Sequence, residues 1–577
     1  MKNLKNPFYW FLVLFLLFGL YRTMSFGNHQ PKGIGSDGRG YFAYLPAIFL
    51  QNDPTFSKTL ELEMAFTKVD HQYYIFENSD GARFNKFFPG IAVLQLPFFG
   101  IACLIEWSSG NAVTGYSNTF TNLFYIGHLI YAILGFLMFR SCIRMLFPDV
   151  KWLNYVLIAL ICGTTLMFYS IETSLSHSYS FFLYGVFSWL VLKLKKQFSI
   201  KHVVFIGIIL GLIALTRPTN LIVVLIIPFL LGSMKETAVF FNHLFRNKAK
   251  LFFIGVLSFL TVLSIQLFIW KWQSGSWFFW AYNGEGLNWT KPMIWQTLFS
   301  FRTGLFVHTP LLLVSLIGWL ILFKKNQFAA AFWMVYFVLN IYVISCWWCW
   351  DYETPFGHRP FTEHLFFILI PLFYVVSWKP KLSLLIVGAF TCISLVRYFE
   401  YTSGYMTNQR FTQSNYFRSL AFWNSWNFDR WAFTTSCPPF GKVISEVEIA
   451  NNPETMSFDS TTEYGLTYEV DLTENHLDSR YFVKVNLEKQ INGEFLNDVF
   501  LVKDAYSTKT GKRMYLALPL YNDRFEGKEN WVELELAEAI PDNFSEYNKL
   551  KIYIWNKGRQ SFQIKNFKAQ IQLYKGK

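Results

Sequence analysis

Charge is what this sequence has least of. Asp, Glu, Lys and Arg together make up 15% of its 577 residues, against 53% hydrophobic and 20% aromatic residues. A soluble globule carries about a quarter charged residues, so that class is excluded, and a polytopic helical protein with a soluble appendage fits. Cysteine is also scarce: of seven, Cys103, Cys142, Cys162 and Cys392 fall inside apolar runs, where a thiol serves as a small buried hydrophobe. Cys346 and Cys349 form one CxxC without a second pair, which does not specify a metal or redox site. No internal repeat is present. The net charge of +13 sits in short loops between apolar runs, where it reads as a topology signal and not as a nucleic-acid footprint. The first residues, MKNLKNPFYWFLVLFLLFGLYRTM, lack a small-x-small cleavage site, so an uncleaved first helix with a cytoplasmic N-terminus is expected.

What is present is a series of apolar runs near the length of about 20 residues that a spanning helix requires. They lie near 8–26, 119–139, 152–170, 177–194, 203–216, 219–233, 251–271, 304–323, 328–346, 364–378 and 382–398, giving about 11 spans. Basic residues (Arg140, Arg144 and Lys151; Lys193 to Lys201; Lys235 to Lys250; Lys324 and Lys325; Lys379 and Lys381) mark every second loop as cytoplasmic. That parity forbids a crossing at 87–105, whose Pro89, Gly90, Pro97 and Gly100 suggest interfacial helices on the outer face. The first outer loop then runs from 27 to 118, long enough to be structured and functional. From about Phe440 the pattern changes to alternation, as in TYEVDL, YFVKVNL and LKIYIWN, which predicts strands of an outer β-sandwich. The expected divisions are a membrane domain 1–400, a link 401–439 and a β-domain 440–577.

Under this topology the ionisable residues of the apolar body gather on one face: Asp37, Arg39, Lys86, Glu172, His177, Arg217, Arg302, His308, Asp351, Glu353, His358, Arg359 and His364. Charge at a membrane boundary is costly, so such clustering marks a functional cavity. Asp37 lies in GSDGRGYFAYLP, between glycines that allow close backbone approach. Its structural reading is a cap of the helix starting near Tyr41, or a pair with Arg39. Arg217, before Pro218, presents a fork suited to phosphate, or a snorkelling arginine at a helix end. Lys86 and Arg359 are phosphate or carboxylate partners, and His177 is a substrate contact or a boundary residue. Asp351 and Glu353, two apart on an extended loop, face the same way and could hold a sugar hydroxyl or a divalent cation, or pair with His358 and Arg359. No spacing is specific enough to claim a metal. Trp347, Trp348 and Trp350 suit stacking on a sugar face or an interfacial belt. Trp531 and Trp555 of the β-domain leave sugar binding and partner docking both open.

The order of these motifs resembles the GT-C class of integral-membrane glycosyltransferases, which includes the protein O-mannosyltransferases and aminoarabinose transferases. The motifs are GSDGRGYFAYLP, NKFFPGIAVLQLPFFG, SHSYSFF, LTRPTN and WWCWDYETPFGHRPF, in a shared order and on a shared side, over roughly residues 1–400. The resemblance implies a sugar moved from a polyprenyl-phosphate donor to a glycan, lipid or protein acceptor at the outer face of a bacterial-type inner membrane, with inversion. Asp37 would be the base, and Arg217, Lys86, Arg359 and His177 would bind the donor phosphate. Arg39, Tyr41, Asp351, Glu353 and Trp350 would contact sugar or acceptor. Asp37 lacks the adjacent second acid of several of these families, so a divalent cation is left open. The alternative is a non-catalytic scaffold or transporter for surface polysaccharide; a transporter would show related halves and mid-membrane charge, which this sequence does not.

Overall fold

The computed structural model describes residues 6–23, 33–67, 74–77, 83–278, 285–352, 356–402, 416, 443–472, 481–491, 499–511, 513–520, 531–539 and 547–574. The expected link 401–439 lies outside the described residues apart from 401, 402 and 416, as does Glu353. Two compact units form, Met1–Leu395 and Val396–Lys577.

The first unit is helical, and helices occupy each of the eleven apolar segments. Among the described residues five are long and apolar enough to cross a bilayer alone: Gly90–Ser108, Asn118–Leu146, Ala249–Ser274, Gln327–Ser345 and Pro380–Thr402. Two bent pairs, Leu153–Cys162 with Thr165–Ile171 and Pro218–Leu231 with Met234–Asn247, raise this to seven if each is one span. The chain is a multi-pass membrane protein. Pro7–Thr23, Ile200–Thr216 and Leu365–Trp378 are shorter apolar helices, and Pro310 stands at the start of Leu311–Lys325, where its missing N–H costs nothing.

One expectation changes in form. Residues 90–108 build a single 19-residue helix that continues through Pro97, where short interfacial helices were expected. It packs on the N-terminal half of Asn118–Leu146: Gln95 donates to the Phe124 carbonyl at 3.0 Å, Tyr131 donates to the Leu94 carbonyl at 2.7 Å, and Phe99 packs on Phe120. That same half carries Tyr125, whose hydroxyl accepts from the Gly35 amide at 3.2 Å. The helix therefore packs beside the motif that contains Asp37.

The helices have one basic and one motif-bearing end. His177–Lys196 starts at the SHSYSFF histidine and finishes in three lysines, about 30 Å away at 1.5 Å per residue. Lys195 there donates to the Leu231 carbonyl at 2.7 Å, and Asn326 to the Gly232 carbonyl at 2.6 Å, so the basic loops meet each other. Ile200–Thr216 returns from that end to Arg217. It packs on Ala249–Ser274 through small residues: a Cβ on Gly207 would press into the Gly255 carbonyl and Ser258, and one on Gly211 would lie 2.6 Å from the Val262 Cβ. Small residues four apart are how helices approach closely in lipid, where apolar burial supplies no drive between them.

The second unit holds two antiparallel sheets. One has four strands in the order Tyr464–Asp471, Lys549–Asn556, Val499–Tyr506, Arg513–Pro519. The other runs Val443–Asn452, Phe562–Tyr574, Tyr481–Ile491, Val532–Ala539, with Met456–Phe458 also on Phe562–Tyr574. Leu550, Ile552 and Ile554 of the first sheet share one core with Val483, Val485, Ala569 and Ile571 of the second, which makes a sandwich. Lys549–Asn556 alternates half-buried and buried positions along its length, the period-two pattern read from sequence.

Gly207→Ile should destabilise the helical unit by about 1–3 kcal/mol through overpacking, read as a lower thermal midpoint of the detergent-solubilised protein. An unchanged midpoint would show that the helix pair does not depend on this close approach.

Candidate functional site

At the motif-bearing end the helices enclose a cavity of about 1200 Å³. Asp37, Arg39, Tyr41, Lys86, His177, Arg217 and Arg359 all line it, so seven residues chosen from distant motifs meet in one space. Ile75, Phe76, Ile222, Val343, Trp347 and Trp348 give it an apolar portion.

Each polar residue is set by its local backbone. Ser36 adopts a left-handed φ of 48°, a conformation that costs a non-glycine residue roughly 1–2 kcal/mol and turns the chain into the helix Gly38–Pro46. Asp37 stands at the cap position of that helix yet makes no side-chain cap bond. Its carboxylate lies 3.7 Å from the Arg359 guanidinium, so its ionic neighbour is Arg359 and not Arg39. Gly38 and Gly40 of the motif serve packing, while Gly35 lines the cavity. A Cβ on Gly38 would strike Ser174, and one on Gly40 would strike the Phe87 ring.

Lys86 follows the strand Arg83–Asn85. Asn85 donates to the Gly40 carbonyl at 2.6 Å and accepts from the Phe87 amide at 3.0 Å, fixing the residues on both sides of the lysine. Its ammonium lies 3.0 Å from Glu285 and over the Phe76 and Phe87 rings at 5.5 and 5.4 Å. Gly90, just beyond, abuts the Leu215–Thr216 backbone, where a Cβ would have 2.6 Å of room. That contact joins the lysine motif to the arginine motif. Arg217 ends its helix in an extended conformation, φ −154° and ψ 108°, as a residue before proline prefers. It is 25% exposed and lies 3.2 Å from Glu363.

Glu363 was not among the expected residues, nor were Glu63 and Glu285. Glu363 is fully buried, accepting from His177 Nδ1 at 2.6 Å, Arg217 Nη1 at 3.2 Å and Asn220 Nδ2 at 3.1 Å. Burial alone would raise its pKa, but His177 and Arg217 beside it hold the carboxyl well below the usual carboxylate range. Glu63, from the helix Ser57–Thr67, accepts from Arg39 Nε at 2.6 Å and from the Tyr74 hydroxyl. The available signal was position: Glu363 falls between Arg359 and His364 at the head of an apolar run, where an acid is costly without a partner.

Two expected contacts are not part of the cavity. Asp351 is buried against Arg302 at 2.6 Å and Cys349 at 3.1 Å, outside the lining, because the loop turns it inward. Trp350 is also outside the lining, and Trp347 and Trp348 face the cavity instead. Glu172 pairs with Arg22 at 2.7 Å and His308 bonds the Phe301 carbonyl at 2.8 Å, both away from the lining, whereas His364 lines the cavity and its Nδ1 meets the Tyr336 hydroxyl at 2.7 Å. Among the described residues no group of three or more His, Cys, Asp or Glu side chains is placed to hold a metal ion.

Because the Asp37 side chain caps nothing, Asp37→Asn and Asp37→Ala should both leave stability within about 0.5 kcal/mol of the parent, measured by thermal unfolding. A loss confined to the alanine form would restore the capping role.

No protein-family model and no curated protein matches the sequence. Among solved structures the chain is similar to ArnT from Cupriavidus metallidurans in the apo state, at 11% identity and a TM-score of 0.36, over 64% of this chain and 59% of that one. It is similar to the same protein bound to undecaprenyl phosphate, at 13% identity and a TM-score of 0.36, over 67% and 62%. The chain thus spans about three fifths of the length of the ArnT chains. It is also similar to the arabinosyltransferase EmbB from Mycobacterium smegmatis, at 11% identity and a TM-score of 0.30, over 98% and 67%. In motif order the chain resembles the GT-C class of membrane glycosyltransferases.

Proposed function

We propose that this chain is a GT-C-like glycosyltransferase that moves a sugar from a polyprenyl-phosphate donor to a hydroxyl of a glycan, lipid or protein acceptor on the outer side of the membrane. The observation that carries this reading is the meeting of Asp37, Lys86, Arg217, Arg359 and His177 in one half-apolar cavity at the end of the helices opposite the basic loops. A phosphate needs fixed cations, and guanidinium forks bind its oxygens in pairs. A prenyl chain needs apolar walls, which Ile222, Val343 and Phe88 provide.

In the reaction the acceptor oxygen bonds the anomeric carbon while the bond from that carbon to the phosphate oxygen breaks. The bonding electrons leave with the phosphate, and the acceptor proton passes to the Asp37 carboxylate. Arg217 and Lys86 stabilise the charge that develops on the leaving phosphate. Single displacement inverts the anomeric centre. Asp37, 23% exposed, is the acid of the cavity least enclosed by donors, which leaves it open to an acceptor hydroxyl.

Membranes supplied with a labelled polyprenyl-phosphate sugar test the reading. Asp37→Ala should lower transfer by about 100-fold or more, the range for loss of a general base, and Arg217→Ala should lower it comparably. Transfer unchanged in both variants would defeat the assignment.

A further inference from the structure

The cations around the cavity differ in how their counter-charges are held. Glu285 and Asp37, beside Lys86 and Arg359, are 20% and 23% exposed. Glu363, beside Arg217, is wholly enclosed and is not part of the lining. A substrate in the cavity therefore does not touch Glu363, and any effect of this acid on a ligand passes through the groups that it holds.

Those groups come from three places in the chain: His177 at the start of one helix, Arg217 at the end of the next, and Asn220 in the turn Pro218–Ile226. The carboxylate accepts at 2.6 Å from His177 Nδ1, so the ring proton sits on Nδ1. Arg217 Nη1 is 3.4 Å from the same Nδ1, and both are donors, so the carboxylate and not the imidazole orients the guanidinium. A neutral amide at this position could not serve both. Its oxygen would accept from one donor while its NH₂ faced the other.

We infer that Glu363 is a positioning residue of the phosphate site, holding the Arg217 guanidinium in place at the cavity. The naming of the ligand as a polyprenyl phosphate rests on the transferase reading above; the positioning itself rests on the three bonds to the buried carboxylate.

The full chain in detergent or nanodiscs tests this by equilibrium binding of undecaprenyl phosphate and, as a second probe, inorganic phosphate. Glu363→Gln should weaken binding by roughly tenfold or more, the scale of one charge-assisted hydrogen bond, with the fold retained by thermal unfolding. In an Arg217→Ala background the same change should add little, because the two residues act as one unit. Glu363→Asp, which keeps the charge, should recover part of the loss; it also replaces the glutamine form if that form does not fold. Wild-type affinity in Glu363→Gln, losses that multiply in the double variant, or no recovery by aspartate would each overturn the inference. A parent chain that binds inorganic phosphate but not the lipid phosphate would count against the transferase reading alone, with the tenfold loss then read on inorganic phosphate. Binding of neither probe by the parent would overturn both.

Discussion

Every charge at the cavity end of this protein is bought against desolvation, and matching carboxylates to cations is what the rest of the arrangement depends on. Arg39 has Glu63, Lys86 has Glu285, Arg217 has Glu363 and Arg359 has Asp37. Moving a single ion out of water costs several kcal/mol, so the enclosed members of these pairs, Arg39 with Glu63 and Glu363 with Arg217, depend on their partners. The pairs fall into two kinds. Glu63 and Glu363 are buried and fixed by further donors, Tyr74 for the one and His177 with Asn220 for the other. Asp37 and Glu285 remain open to the cavity.

The pairing would be useless if the segments did not arrive at the same height. Small residues and prolines arrange that. Gly90 against Thr216 brings Lys86 to Arg217, and Gly38 against Ser174 brings Asp37 beside the start of the His177 helix. Pro218 ends the helical run at Arg217, so the guanidinium leaves the bundle at the cavity and not farther along. In lipid these close backbone approaches substitute for the apolar drive that holds soluble cores.

Much of this was legible from residues alone, for identifiable reasons. The apolar segments read as helices because a bilayer leaves few alternatives, and the β-unit because alternation such as that of Lys549–Asn556 suits only a half-buried strand. That Asp37, Lys86, Arg217, Arg359 and His177 lie at one end of the body was legible because charge beside an apolar run is expensive enough to be gathered. Where the helices break inside those runs was not, since Pro310, Pro371 and Gly163 divide runs that hydropathy alone reads as whole.

The sequence by itself determined a charge-poor, helical membrane body, a strand-rich C-terminal unit and the short set of ionisable residues that could do chemistry, because burial costs act residue by residue. Only the tertiary structure decided which acid meets which base. Asp351 and Arg302 are drawn away together, while Glu363, hidden between two named residues, joins His177 and Arg217 across long stretches of chain. Ion pairing is a matter of a few ångströms in space, and distance along a chain that reverses direction at every helix does not encode it.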